Sequence, residues 1–392
     1  MASAHMKKAQ AVSRGEAVKL STTVIFLAAF LLFFAVFAIP MGLANMLNTM
    51  MNTAFQILLD TAFYIMAIAV LAGAVSALFN EFGVVDLLNR LLSPLMRPLF
   101  GMPGAASLGV VTTYLSDNPA ILTLADDQHY RQFFKAYQIP ALTNLGTSFG
   151  MGLIVTTFML GLWSSAGPET GMAVLCGNLG AVAGSIVSTR LMLGFTSKAL
   201  GRELEAPPPP VGGQERHAEA SGAVRIMNAL LEGGKKGVEL GLAIIPGVLI
   251  ICTVVMMLTN GAPAGGTYTG AAFEGVALLP AAAEKLRFLL APLFGFTSPA
   301  GISVPVTALG SAGAALGMVP ALVSQGLAGA NDIAVFTAMC MCWSGYLSTH
   351  ISMMDVLGCT QFTGKAILSH TFGGLAAGVA AHWIFVLVQL VR

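Results

Sequence analysis

The chain has 392 residues, 56% of them hydrophobic and only 9% charged, with a formal net charge of +1. Such a composition rules out a water-soluble domain and reads as a polytopic membrane protein. The near-zero charge and the lack of a basic stripe exclude a nucleic-acid partner by bulk electrostatics.

In chain order, residues 1–19 form a basic tail (Lys7, Lys8, Arg14, Lys19) held in the cytoplasm, and its Ala-Ser-Ala-His-Met start looks like a cloning remnant. Residues 20–43 read as a first membrane helix rather than a cleaved signal, because no Ala-x-Ala site follows the apolar run. The next apolar stretch is Ala54–Phe79. After it, Val85, Leu88, Leu92 and Leu95 recur at helical spacing among Asp86, Asn89 and Arg90, the pattern of a helix lying along the interface. Then follow Gly104–Leu124, Ile139–Trp163 and Met172–Leu193. A linker at 199–234 contains Pro207-Pro208-Pro209-Pro210, a stiff solvated spacer. Beyond it lie Gly237–Leu258, a second interfacial candidate at Ala281–Leu290, and then Gly301–Leu327, Ile333–Leu357 and Ala366–Val391. The cysteines (Cys176, Cys252, Cys340, Cys342, Cys359) show no metal-ligand spacing and are expected as buried thiols.

Two of these stretches repeat each other. Leu91-Leu92-Ser93-Pro94-Leu95, then Pro98-Leu99-Phe100-Gly101, returns as Leu289-Leu290-Ala291-Pro292-Leu293-Phe294-Gly295. Each is followed by a small-residue patch and an apolar run that ends at a polar or glycine break. The breaks are Ser116-Asp117-Asn118-Pro119 and Gly310-Ser311-Ala312-Gly313. Duplicated, interrupted hydrophobic segments point to a transporter binding site, since irregular backbone at membrane depth survives only inside protein or along a cavity. The expected organisation is therefore a repeat at 54–198, the linker, and a second repeat at 235–392.

Charge placement sets the polarity. Arg90 and Arg97 precede Gly104–Leu124, and Arg131 and Lys135 follow it, so both flanks stay cytoplasmic only if that stretch is a re-entrant hairpin. Continuing the count places the second hairpin on the outer side and the C-terminus outside. The expected fold is thus an all-α polytopic membrane protein of two inverted-topology repeats. Each has an interfacial helix, a re-entrant hairpin and two further spans, with added scaffold helices, all in a bacterial cytoplasmic (inner) membrane.

Candidate site residues follow from the breaks. Asp117 and Asn118 combine a carboxylate and an amide with the Ser116 hydroxyl beside a half-helix end, a set that suits Na⁺ or a proton. An Asx turn is the structural alternative. In the following span Thr143, Thr147 and Ser148, with Asn144 among them, match Ser344, Ser348 and Thr349 of the second half; such hydroxyls otherwise back-bond along a helix. Ser116, Asp117, Asn118, Thr147 and Ser148 are the candidate ion ligands. Asn118, Thr143, Asn144, Ser311, Trp343, Ser344, Ser348, Thr349 and His350 are the candidate solute contacts. Trp343 and Tyr346 offer a stacking face, and Asn331-Asp332 caps a helix. No metal ligand set is recognisable, and no catalytic triad can be assembled from these spacings.

This order of parts, with its Pro-Leu-Phe-Gly segments, resembles the concentrative nucleoside transporters. It also resembles the nucleoside-recognition or Gate domain found in bacterial ferrous-iron transporters and spore-maturation membrane proteins. The resemblance covers about 55–193 and 237–387. It implies substrate and coupling ion beside the hairpin tips, scaffold helices at Ala54–Phe79 and Gly237–Leu258, and a homotrimer. The Gln-Thr-Glu and Asn-Glu-Phe motifs of the true nucleoside transporters are absent, and no G-x-x-x-x-G-K-[ST] sequence occurs. The expected function is a secondary active transporter, not an enzyme, for a small polar organic solute, nucleoside-like or related. It would work by elevator-type alternating access with Na⁺ or H⁺ as coupling ion and no other cofactor. The alternatives are a metal-ion permease using His350, Cys359 and His370, or a non-transporting maturation factor.

Overall fold

A computed structural model describes residues 20–118, 120–125, 128–206, 222–263 and 265–391. The basic tail, Pro119, Asp127 and the four-proline run lie outside them. The described residues are mostly helical and form no strand beyond one isolated bridge between Lys135 and Glu205; the longest non-helical stretch joins Thr259 to Leu278. It is a multi-pass membrane protein: six of its described helical stretches are long and apolar enough to cross a bilayer.

The first half begins with α1 (Leu20–Met41), whose outer face is bare apolar surface and whose Phe37 and Met41 pack on Met46 and Met257. It continues with α2 (Leu43–Glu81) and α3 (Val84–Leu95). The pair α4 (Ala106–Leu115) and α5 (Ala120–Ala125) is interrupted at Ser116-Asp117-Asn118. A second interrupted pair is α6 (Ile139–Thr147) and α7 (Gly152–Gly161), and α8 (Thr170–Leu200) closes the half.

The second half runs α9 (Gly222–Thr259), α10 (Leu278–Lys285) and α11 (Arg287–Phe294). It has its own interrupted pairs, α12 (Ser303–Ala308) with α13 (Ala312–Ser324) and α14 (Ala330–Cys342) with α15 (Tyr346–Val356). The last helix is α16 (Thr363–Val391). Every break falls where the sequence supplies Gly, Ser or Asn, residues that satisfy backbone groups locally or tolerate unusual torsions.

Two helices run past the apolar windows that announce them. Helix α2 spans 39 residues and α9 spans 38. At 1.5 Å per residue each reaches well beyond a hydrocarbon layer of ~30 Å. Residues 222–234, expected within the linker, are accordingly helical, and α9 carries Arg225, which pairs with Glu81 at the end of α2.

Helix α3 uses its predicted stripe mainly against protein: Val85, Leu88 and Leu92 pack toward Val111 and Leu115, whereas Leu87, Leu91 and Leu95 form a second, exposed stripe. Its chain turns at Gly101, and α11 turns at Gly295, with φ of 72° and 60°. A side chain at either turn would sit in the disfavoured left-handed region, so the repeated Phe-Gly marks two equivalent corners. Each corner is pinned from a long helix. Arg190 of α8 donates to the carbonyl of Pro98, and Trp383 of α16 donates to that of Pro292 at 3.1 Å.

The frame is held by close helix contacts. Helices α2 and α9 meet along Gly73, Gly233, Gly237 and Gly241, and α8 meets α16 along Gly180, Gly184 and Gly373. Small residues at this spacing let backbones approach where no hydrophobic force drives association. A methyl group on Gly237 would stand 2.4 Å from the Ala69 carbonyl oxygen, whereas one on Gly234 meets nothing closer than 3.6 Å. Gly237→Ala is therefore expected to destabilise the detergent-solubilised protein by about 1–3 kcal/mol, the scale of overpacking. Gly234→Ala should leave the thermal midpoint nearly unchanged, and equal midpoints for the two variants would refute this packing account.

Candidate functional site

The four helix interruptions converge. The α4–α5 break (Asp117, Asn118), the α12–α13 break (Gly310, Ser311) and the breaks of the two following pairs (Met151; Ser344, Gly345) line a common cavity of about 290 Å³. One face of α9 completes it, with Leu240, Ala243, Ile244 and Gly247 at helical spacing. Each interruption leaves helix-end N–H and C=O groups without intrahelical partners, which gives the cavity polar character that its apolar spans lack.

The two halves are stitched together at this point. The amide nitrogen of Asn118 donates to the Ser344 carbonyl at 2.8 Å, and the Ser344 hydroxyl donates back to Asn118 Oδ1 at 2.9 Å. The same hydroxyl lies 3.3 Å from the carbonyl of Thr147. Asn118 is buried against Gly150, where an added methyl carbon would lie 1.3 Å from Asn118 Oδ1. The Gly345 N–H reaches the Ala308 carbonyl at 3.0 Å, joining α12 to the break between α14 and α15.

Among the described residues, Asp117 is the only ionisable side chain lining the cavity. It is half-buried; its Oδ1 accepts from the Asn118 N–H at 2.7 Å, and its own N–H donates to Ser116 Oγ at 2.6 Å. No ion pair among the described residues involves it. Ser311 caps α13 by accepting from the Ala314 N–H at 3.2 Å, and Thr349 bonds back to the Gly345 carbonyl at 2.8 Å. The side chain of Ser348 lies outside the described set.

The other residues singled out from sequence sit behind this cavity, in the core. Thr147 Oγ1 lies 3.8 Å from the Met353 sulfur, and Ser148 back-bonds to the Asn144 carbonyl at 2.8 Å. Asn144 donates to Ser188 Oγ at 2.9 Å, and Ser188 meets His370 Nδ1 at 2.8 Å. His370 Nε2 in turn reaches the Cys342 carbonyl. A carbonyl only accepts, so Nε2 carries the hydrogen, and in the neutral ring Ser188 gives its proton to Nδ1. This donor chain crosses from α6 and α8 to the break between α14 and α15. Trp343 stacks on Tyr346 at 6.2 Å within the same core and donates to the His370 carbonyl, so its face is covered. The hydroxyl of Thr143 and both ring nitrogens of the fully buried His350 make no hydrogen bond of good geometry. His350 instead lies ring to ring with His370 at 4.6 Å.

Asp332 caps the start of α14 as expected, whereas Asn331 ties down the end of α11. Asp332 accepts from the Gly329 N–H at 2.9 Å and from Thr297, and Asn331 donates to the carbonyls of Phe294 and Gly295 at 2.8 Å. Among the described residues no three His, Cys, Asp or Glu side chains stand where they would hold a metal ion. Four cysteines are buried and Cys359 is partly so, and all five are free thiols.

The cavity also has members that the sequence did not announce. Met151 enters it through a left-handed backbone (φ 56°), and the α9 face reads locally as any lipid-facing stripe. Gly150 shapes the cavity only because Asn118 leans on it.

No protein-family model matches the chain, and no curated protein matches it. Among solved structures, the concentrative nucleoside transporter CNTnw in an inward-facing substrate-bound state superposes with a TM-score of 0.51 at 14% identity, covering 82% of this chain and 74% of that one. Two variants of CNTnw in outward-facing states give TM-scores of 0.49 and 0.47 at 12% identity, each covering 83% of this chain and 76% of theirs. The chain thus has the membrane fold of a concentrative nucleoside transporter, at an identity that speaks for architecture alone.

Proposed function

We propose that the protein is a secondary active transporter for a small polar organic solute, nucleoside-like or related. The observation that carries this reading is the shared cavity, where both hairpin tips and both span breaks meet around one carboxylate and a set of amides and hydroxyls. Its size falls just below the ~300–1,000 Å³ typical of sites for drug-sized ligands, which suits a small solute. Its lining suits a neutral solute with hydrogen-bonding groups, and Asp117 supplies the place for Na⁺ or a proton. In this reading α2 and α9 stay fixed while the hairpins and broken spans move against them, an elevator-type alternating access. A homotrimer in the bacterial cytoplasmic membrane belongs to the same reading, and native mass spectrometry in mild detergent tests it.

The decisive screen is thermal unfolding of the purified protein with nucleosides, bases, amino acids and divalent metals, with and without Na⁺ and across pH. A polar organic solute should raise the midpoint, the shift should depend on cation or pH, and Ser344→Ala should reduce it. Counterflow in proteoliposomes then tests transport of the compound identified. Stabilisation by divalent metals alone would overturn the reading.

Inverted topology is part of the proposal. The two Phe-Gly corners support it, because one is pinned by an arginine and the other by a tryptophan. Arginine favours the cytoplasmic side, whereas tryptophan is at home at either interface. Single cysteines are placed at the exposed Lys198 and Glu284. A membrane-impermeant thiol reagent should label position 198 only from the cytoplasm and position 284 only from outside. Labelling of both from one face would end the inverted-repeat assignment.

A further inference from the structure

A second cavity, also of about 290 Å³, lies where the first Phe-Gly corner meets the last turns of α8. Arg190 and Arg202 line it together with Tyr137 and Ser197, and among the described residues no acidic side chain does. Arg190 is held in place: its Nε donates to the Leu99 carbonyl at 2.5 Å and its Nη2 to that of Pro98, which leaves the Nη1 amino group uncommitted. Arg202 is exposed and, among the described residues, has neither an ion pair nor a hydrogen bond. The neighbouring carboxylates are directed elsewhere, since Glu205 pairs with Lys135 and the charge of Glu203 also acts on Lys135.

The second half of the chain shows what this corner requires structurally. There the same carbonyl of the repeated Pro-Leu-Phe-Gly is pinned by the indole N–H of Trp383, a neutral donor. Pinning the corner therefore needs no charge. The first half nevertheless places two guanidinium groups beside it, around a space large enough for a headgroup. Depth points the same way. The chain enters this corner from α3, whose Leu87, Leu91 and Leu95 are bare, and amphipathic helices of that kind lie at headgroup level.

We propose that this cavity is a binding site for a phosphoryl anion, the phosphodiester of an anionic phospholipid, seated between Arg190 and Arg202. Planar guanidinium groups match phosphate oxygens in pairs, which a lysine does not. An occupant there bridges the corner after α3 to α8, and so couples the lipid composition of that leaflet to the position of the first hairpin.

The test measures the unfolding midpoint of the full chain in detergent with added phosphatidylglycerol, phosphatidylcholine or inorganic phosphate. Phosphatidylglycerol should raise the midpoint more than the zwitterionic lipid does, and Arg202→Gln should abolish that difference. Lys236→Gln, which removes an exposed charge on α9, should preserve it. Inorganic phosphate reproducing the shift in wild type but not in Arg202→Gln would establish the phosphoryl site with a soluble occupant, and a response to the lipid alone establishes the lipid. Arg190→Gln also removes the two carbonyl bonds, so Arg202→Gln is the deciding variant. Equal shifts from both lipids without any phosphate effect, or a preference that survives Arg202→Gln, would overturn the proposal.

Discussion

Replacing Asp117 with asparagine is expected to weaken the cation or pH dependence of solute binding strongly while leaving the protein folded. Among the described residues, Asp117 is the only ionisable group lining the central cavity and has no cationic partner. Holding a carboxylate near the bilayer centre costs at least ~2.5 kcal/mol on insertion scales, and a bound cation offsets that cost. Asparagine has the same shape and still accepts the Asn118 N–H, so the tip keeps its geometry. A charge-assisted contact is worth about 1.5–3 kcal/mol, and its loss should weaken apparent cation affinity roughly ten- to hundredfold. The measurement is the unfolding midpoint titrated with Na⁺ at several pH values, with exposed Asp86→Asn on α3 as the control expected to behave as wild type. An unaltered titration in Asp117→Asn would make the hairpin tip a purely structural turn.

Much of this architecture is legible in the sequence because membrane solvation leaves few choices. An apolar run of about twenty residues has to cross or fold back, and a Gly, Ser or Pro break at its middle has to be sheltered. The interruptions at 116–118 and 310–311 could therefore be read from residue type and recurrence. Helix ends beyond the bilayer could not. Residues 222–234 of α9 carry Arg225 and Glu232 and run up to Lys235-Lys236, so they look like linker, yet they extend a helix whose apolar part is already committed.

The site was legible by half. The tips were marked by polar residues at membrane depth, but which polar group meets which is a tertiary fact. Asn144 and Asn118 look alike in sequence, each a lone amide in a small-residue stretch. One faces the cavity rim and bonds Ser344, whereas the other turns into the core and bonds Ser188, 44 positions along the chain. Hydroxyl recurrence between the halves marked Ser344 and Thr349, which do line the cavity, and equally marked Thr147 and Ser148, which pack behind it. Periodicity cannot separate these, because a broken helix changes the direction of its faces at the break.

Gly150 is the residue whose role depends most on such long-range contact, and Gly150→Ala is expected to disable the site. Its backbone is not in the left-handed region, so alanine is conformationally acceptable there. The new methyl carbon would nevertheless lie 1.3 Å from Asn118 Oδ1 and 2.8 Å from Ser344 Oγ. Asn118 must leave, and both of its bonds to Ser344 go with it. Two net hydrogen bonds at about 1 kcal/mol each, plus overpacking of about 1–3 kcal/mol, predict a clear fall in midpoint and the loss of solute stabilisation. Gly364→Ala, at a position with nothing within 4 Å, should be neutral or slightly stabilising. The sharper test is a double-mutant cycle with Asn118→Ala, which removes the group that the methyl strikes. If the clash is the cause, Gly150→Ala should add little in that background, a non-additivity characteristic of residues in direct contact. Full additivity would mean that alanine at 150 acts through the span break itself, and that the contact with Asn118 is incidental to binding.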